Sequence, residues 1–275
     1  MSDFPTTAGG TCCWVWPFRH SASTGERILR LASAARGLGA PRRWPFAAAV
    51  AGTLPLAVGW ALGVPGQQHL TAILLFPLFL ALVCQDRQRA AIGTIAIAYG
   101  AHCFLAVSLA AMDPGGASVV MPGGQEYWEK NLEWIRTGID PEYQLVNWVP
   151  HHALLFVGIS LFSFTSLGLV PLFEGVHEVD LMNFYVGRLV MQSRSPELAV
   201  LAGWHLWSVL RGVAYAFLVY EVASWSLSRL AGRPLSTPKR HAWRLGVGIA
   251  FLLADGGVKY LALDAVRRVL WANLK

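Results

Sequence analysis

Within the stretch PLFEGVHEVDLMNFYVGRLV (171–190), four side chains able to move a proton or bind an ion fall close together: Glu174, His177, Glu178 and Asp180. On a helix Glu174, His177 and Glu178 stand three and four positions apart and share one face. A Glu-x-x-His pair facing inward is the unit from which bundle di-metal sites are built. Such sites need a second copy of the motif and further glutamates, and this chain has no second copy. HEVDL also stops one residue short of a zincin motif, because Leu181 stands where a second histidine is required. No metal and no cofactor is therefore expected. The acids mark the place where an apolar helix gives way to a polar cavity.

More ionisable groups stand inside apolar runs. An ionised side chain costs roughly 2.5–3.5 kcal/mol on insertion at membrane depth, so those present are expected to face protein or water. His205 and Arg211 lie in GWHLWSVLRGVAYAFLVYE, which ends at Glu221; Asp255 and Lys259 follow in the last apolar run. Arginine stays charged and suits a carboxylate or phosphate partner, so Arg211 reads either as an anion contact or as an ion pair with Asp255 or the 174–180 cluster. Asp255 and Lys259 are four apart and can pair along a helix, as a static lock or as part of a relay. His205 reads as a buried core histidine. Together Glu174, His177, Glu178, Asp180, His205, Arg211, Glu221, Asp255 and Lys259 form the expected polar cavity. His151 and His152 are expected at a membrane interface, and no facing ligand for a haem is evident.

The elements that must position these groups are membrane helices. Hydrophobic residues make up 55% of the 275 positions and charged residues 14%, against about 25% charged in soluble domains, and the mean hydropathy is +0.45. Spans need about 20 apolar residues. Such runs occupy 45–64, 90–112, 149–173, 198–230 and 245–263. A shorter one, 70–84, contains Pro77 and reads either as a span or as a re-entrant segment. The fold class is thus all-α, a polytopic transmembrane bundle of five or six spans. Ser195, Pro196 and Glu197 form a helix start, which predicts one long helix reaching Arg229. The apolar residues after Asp180 are too few to cross and predict a re-entrant or interfacial segment. In GGQEYWEKNLEWIRTG, Trp128, Leu132 and Ile135 share a face, predicting a short amphipathic helix on the bilayer surface or packed on the bundle.

The domain division follows: a basic N-terminal cytoplasmic arm (1–44), the first transmembrane helices (45–112), an amphipathic connecting loop (113–148) and a C-terminal transmembrane bundle carrying the polar cluster (149–275). The net charge of +6 sits in the arm and in short gaps between apolar runs. That is how membrane proteins place positive charge, and it favours a cytoplasmic N-terminus in the plasma (inner) membrane. Two topologies divide the basic residues equally well, so the side on which the 174–180 cluster emerges stays open. The expected partners are the lipid bilayer and other membrane subunits, with no nucleic acid. The four cysteines lack metal or disulfide spacing and read as free thiols. The first 44 residues hold no signal-peptide core, and GxxxG at Gly59–Gly63 permits close helix approach. There is no phosphate-binding loop, dinucleotide fingerprint or nucleophile elbow. The function expected is a non-enzymatic permease-like, channel-like or assembly subunit. The alternative is a membrane-embedded enzyme acting on a lipid or isoprenoid, with His177 or Glu178 as general base and Arg211 as anion anchor.

Overall fold

The computed structural model describes residues 43–139, 145–232 and 234–275. Nearly all of the expected arm, including Cys12 and Cys13, lies outside the described residues, as does part of the connecting loop. Among the described residues the chain is helical: α1 (Trp44–Leu62), α2 (Gln67–Cys84), α3 (Gln88–Met112), α4 (Pro114–Val120), α5 (Gly124–Thr137), α6 (Leu145–Ser166), α7 (Leu169–Gln192), α8 (Pro196–Gly203), α9 (Leu206–Leu230) and α10 (Pro238–Asn273). Six of them, α1, α2, α3, α6, α9 and α10, are long and apolar enough to cross a membrane. Despite Pro77, α2 is a continuous helix of 18 residues. Hydroxyls fit these apolar helices because they bond their own backbone: Thr53, Thr94, Ser108 and Ser160 each donate to the carbonyl four residues earlier.

Three boundaries differ from the sequence expectation. The expected span 149–173 is cut in two, because Leu167 (φ +55°) and Gly168 (φ +96°) are both left-handed and end α6. The segment after Asp180 is not re-entrant: α7 is one helix of 24 residues, about 36 Å long at 1.5 Å per residue. It traverses the bundle. Gly168 at one end lies against Phe79 and Val219, and the Gln192 carbonyl at the other accepts from the Lys275 amide. The helix begun at Ser195 also stops early. Ser195 caps α8 by accepting from the Leu198 amide, but α8 ends at Gly203, and extended ψ angles at Trp204 and His205 separate it from α9.

The short amphipathic helix is α5, and it packs on the bundle. Trp128 and Ile135 are buried, Trp128 and Tyr127 meet Tyr185 of α7, and the Arg188 guanidinium lies 5.8 Å from the Trp128 ring centroid. Around α7 pack α2, α3, α4, α5, α6 and α8, while α9 pairs with α10 and α6. Two apolar clusters form the interior. One joins residues such as Leu75, Phe79, Ala98, Leu172 and Tyr220. The other joins Leu56, Ala106, Phe184, Trp207 and Leu263. Along α1, α3, α7 and α9 the two clusters leave a gap, and the buried His102 of α3 and Asp180 of α7 sit in it.

Gly168 is the tightest test of the α6–α7 turn. A Cβ there would lie 3.0 Å from Phe79 Cε1, on a backbone that costs an L-residue about 1–2 kcal/mol. Gly168→Ala is expected to lower stability by at least that amount, measured as the thermal unfolding midpoint in detergent.

Candidate functional site

Both faces of α7 carry chemistry, and they carry different chemistry. Asp180 and Asn183 lie on the face packed against α2 and α3, and both are fully buried. The Asp180 Oδ2 accepts from Gln67 Nε2 at 2.5 Å, and its Oδ1 lies 2.6 Å from His102 Nε2. On its other side, His102 Nδ1 meets the Gly52 carbonyl at 2.8 Å. Gly52 allows this because a Cβ there would fall 2.1 Å from the Ala98 carbonyl oxygen, so only glycine lets α1 and α3 come this close.

These partners assign the protons. A carbonyl can only accept, so His102 Nδ1 carries hydrogen and donates to Gly52. The short contact between His102 Nε2 and Asp180 Oδ1 then needs a proton of its own, held either as imidazolium–carboxylate or as imidazole–carboxylic acid. Two bare lone pairs at 2.6 Å would repel. The pair thus holds one proton in an interior where His102 is 1% exposed and Asp180 0%. Around it Gln67 Oε1 and Thr71 Oγ1 are buried without hydrogen-bond partners among the described residues. Buried groups left so are normally met by water or a ligand.

Above this site lies a small cover. Gln67 and Gln68 each donate to the Val120 carbonyl at the end of α4. At the start of α4, Asp113 Oδ1 accepts from the Gly116 amide at 3.0 Å and Oδ2 from Trp60 Nε1 at 3.0 Å. The Gly116 amide first, then the Trp60 indole, hold the Asp113 carboxyl below the usual range. A depressed carboxyl stabilises the fold above its unfolded pKa of about 3.9, and that contribution is lost as pH falls through the lower folded value. Amide exchange across α4 is therefore expected to accelerate below about pH 4, and Asp113→Asn should largely remove that step.

A second set of charges lies on α9 and α10, within electrostatic range of Glu178 on the opposite flank of α7. Arg211 donates through Nε (2.9 Å) and Nη2 (3.3 Å) to the two oxygens of Asp255, which is fully buried. Glu178, Arg211 and Asp255 all lie within electrostatic range of the Tyr215 hydroxyl, which is buried with no hydrogen-bond partner among the described residues. Lys259 is buried one turn beyond Asp255, and both Lys259 and Arg211 act electrostatically on His205. Two acids, Glu178 and Asp255, and two cations, Arg211 and Lys259, therefore lie within electrostatic range of Tyr215 or His205. His205 is buried within rings, stacked on Trp207 at 4.4 Å and edge-on to Trp134 at 5.6 Å.

The nine residues expected in one cavity are thus divided. Asp180 faces one way. Glu178, His205, Arg211, Asp255 and Lys259 gather on the other side of α7. Glu221 joins a third group at the end of the bundle bearing the α2–α3 and α9–α10 turns. There Asp86 accepts from Tyr220 Oη (3.0 Å), Arg244 Nη2 (2.9 Å) and Arg240 Nη1 (3.4 Å), and His241 bonds Glu221. Arg244 also lies 3.7 Å from Glu221 and over the Tyr220 ring. Glu174 and His177 belong to none of these groups: both are half-buried, and Glu174 lines a groove against α6.

Sequence reasoning passed over Gln67, His102, Asn183, Asp86, Tyr220, His241 and Arg244. His102 had a signal, a lone titratable residue in the middle of the apolar run 90–112. Among the described residues there is no group of three or more His, Cys, Asp and Glu side chains that could hold a metal. Fold and site together define an integral membrane protein of the helix-bundle class. No protein-family model, curated protein or solved structure matches the chain.

Proposed function

We propose that this chain is a permease-like membrane protein whose interior binds and releases a proton at His102 and Asp180. One observation carries the reading: an acid–base pair sealed between two apolar clusters, whose hydrogen-bond partners require one shared proton. Buried ionisable groups in membrane helices mark proton and substrate paths. The orphaned polar atoms of Gln67 and Thr71 supply positions for water or substrate beside the pair. Arg211 and Asp255 act as a lock between α9 and α10, and Glu178 and Lys259 balance the charge around it.

The basic residues support a cytoplasmic N-terminus in the plasma (inner) membrane. With α7 traversing the bundle, the N-terminal end also bears Arg87, Arg89, Arg229, Lys239, Arg240 and Arg244. The Asp86–Glu221 network then faces the cytoplasm, and α4 and α5 face the other side. In the enzyme reading Arg211 holds an anionic substrate, yet both its Nε and Nη2 are given to Asp255, which supports transport over catalysis. Other membrane subunits remain fitting partners for the exposed apolar faces of α6 and α10.

The test is proton movement in proteoliposomes enclosing a pH-sensitive dye, driven by a potassium diffusion potential. The native chain is expected to pass protons, and Asp180→Asn and His102→Gln to stop them. An unresponsive native chain, or an equal response from folded Asp180→Asn, overturns the proposal.

A further inference from the structure

We propose that the groove between α6 and α7 binds a lipophilic cation, with Glu174 as its counter-charge. The groove has a volume of about 330 Å³, within the range of small-molecule sites. Leu155, Ile159 and Phe162 of α6 and Pro171 of α7 form apolar walls, His151 stands at one end, and Glu174 supplies the carboxylate. It opens toward lipid. Leu154, Val157 and Leu161 on α6 are exposed, and only 11% of that helix's apolar window is buried.

Glu174 sits at the middle of the bundle. Its neighbour Gly175 abuts the Tyr99 hydroxyl, Tyr99 donates to the Leu172 carbonyl at 2.8 Å, and Tyr99 lies midway along α3. Among the described residues Glu174 has neither an ion pair nor a hydrogen bond. A half-buried carboxylate at that depth is costly when ionised, and Asp180, the fully buried acid of α7, shows how the fold otherwise answers the cost, with a partner.

The chemistry selects the occupant. A small inorganic cation would lose its hydration shell against walls that offer no further oxygen ligands. A neutral acyl chain satisfies the walls and leaves the carboxylate alone. An organic cation with an apolar body meets both demands. This inference needs only the groove and Glu174, so it stands or falls separately from the proton reading.

The experiment uses the full chain in nanodiscs of phosphatidylcholine. The probe is a radiolabelled alkyl trimethylammonium carrying a photoreactive diazirine, compared with the neutral alcohol of the same chain. Saturable labelling of α6 and α7 peptides by the cation is expected, with affinity falling about tenfold or more in Glu174→Gln, as for loss of a close charge pair. Glu174→Asp should retain binding, and Leu155→Trp should block it by filling the groove. The neutral probe should not distinguish native from Glu174→Gln. Equal labelling of native and Glu174→Gln by the cation would mean that the groove holds acyl chains only and would overturn the proposal, as would labelling that fails to saturate or spreads over all helices.

Discussion

Asp180→Ala is expected to lose about 3–5 kcal/mol of stability, the cost typical of removing one partner from a buried charge pair. The alanine leaves His102 Nε2 in the interior with nothing to receive it, and leaves Gln67 Nε2 only its long 3.5 Å bond to the Val120 carbonyl. Thermal unfolding of the purified chain in mild detergent reads the loss. The double variant His102→Phe with Asp180→Leu discriminates pairing from packing. It removes donor and acceptor together and is expected to be more stable than Asp180→Ala, since apolar replacement of a buried polar pair can approach neutrality. A double variant no better than the single one would show that the site's volume matters more than its charge. The proton response, by contrast, should be absent in both.

Arg211→Met should cost up to a similar amount, about 3–5 kcal/mol, because it removes both guanidinium bonds to Asp255, whose side chain is 0% exposed. The reverse pair, Arg211→Asp with Asp255→Arg, places the same charges on the same two helices and should regain part of the loss. Lys259 is buried one turn from Asp255, so the regain is expected to be incomplete: neighbouring charges do not add independently. If the swap restores stability and transport together, the pair is a lock between α9 and α10. If it restores stability and leaves transport dead, Arg211 also touches what is transported.

The spans were legible because hydropathy over about 20 residues reports a transfer free energy that needs no knowledge of neighbours. The breaks were not. Gly168 and Gly203 lie in runs as apolar as the helices on either side, so no change of composition marks the left-handed turn at Leu167–Gly168 or the extended backbone at Trp204–His205. The reverse error hid α7. Its acids lower its hydropathy below that of a span, while the partners that make it tolerable, Gln67 and His102, lie 113 and 78 positions away in sequence. The Arg211–Asp255 pairing was one of the readings available from residue type alone, because a buried arginine demands a carboxylate and few were on offer. His102 was equally visible as a type, and its meaning depended on Gly52 letting α1 approach α3. Such long-range agreement between residues is what local pattern cannot carry.

The central claim is that His102 and Asp180 share a proton that the chain can exchange. Infrared difference spectroscopy of carboxyl-labelled aspartate in lipid-reconstituted protein, on transfer from H2O to D2O, tests it most directly. One aspartate band should shift on deuteration in the native chain, vanish in Asp180→Asn and move in His102→Gln. A spectrum with no deuteration-sensitive band that depends on Asp180 would contradict the account.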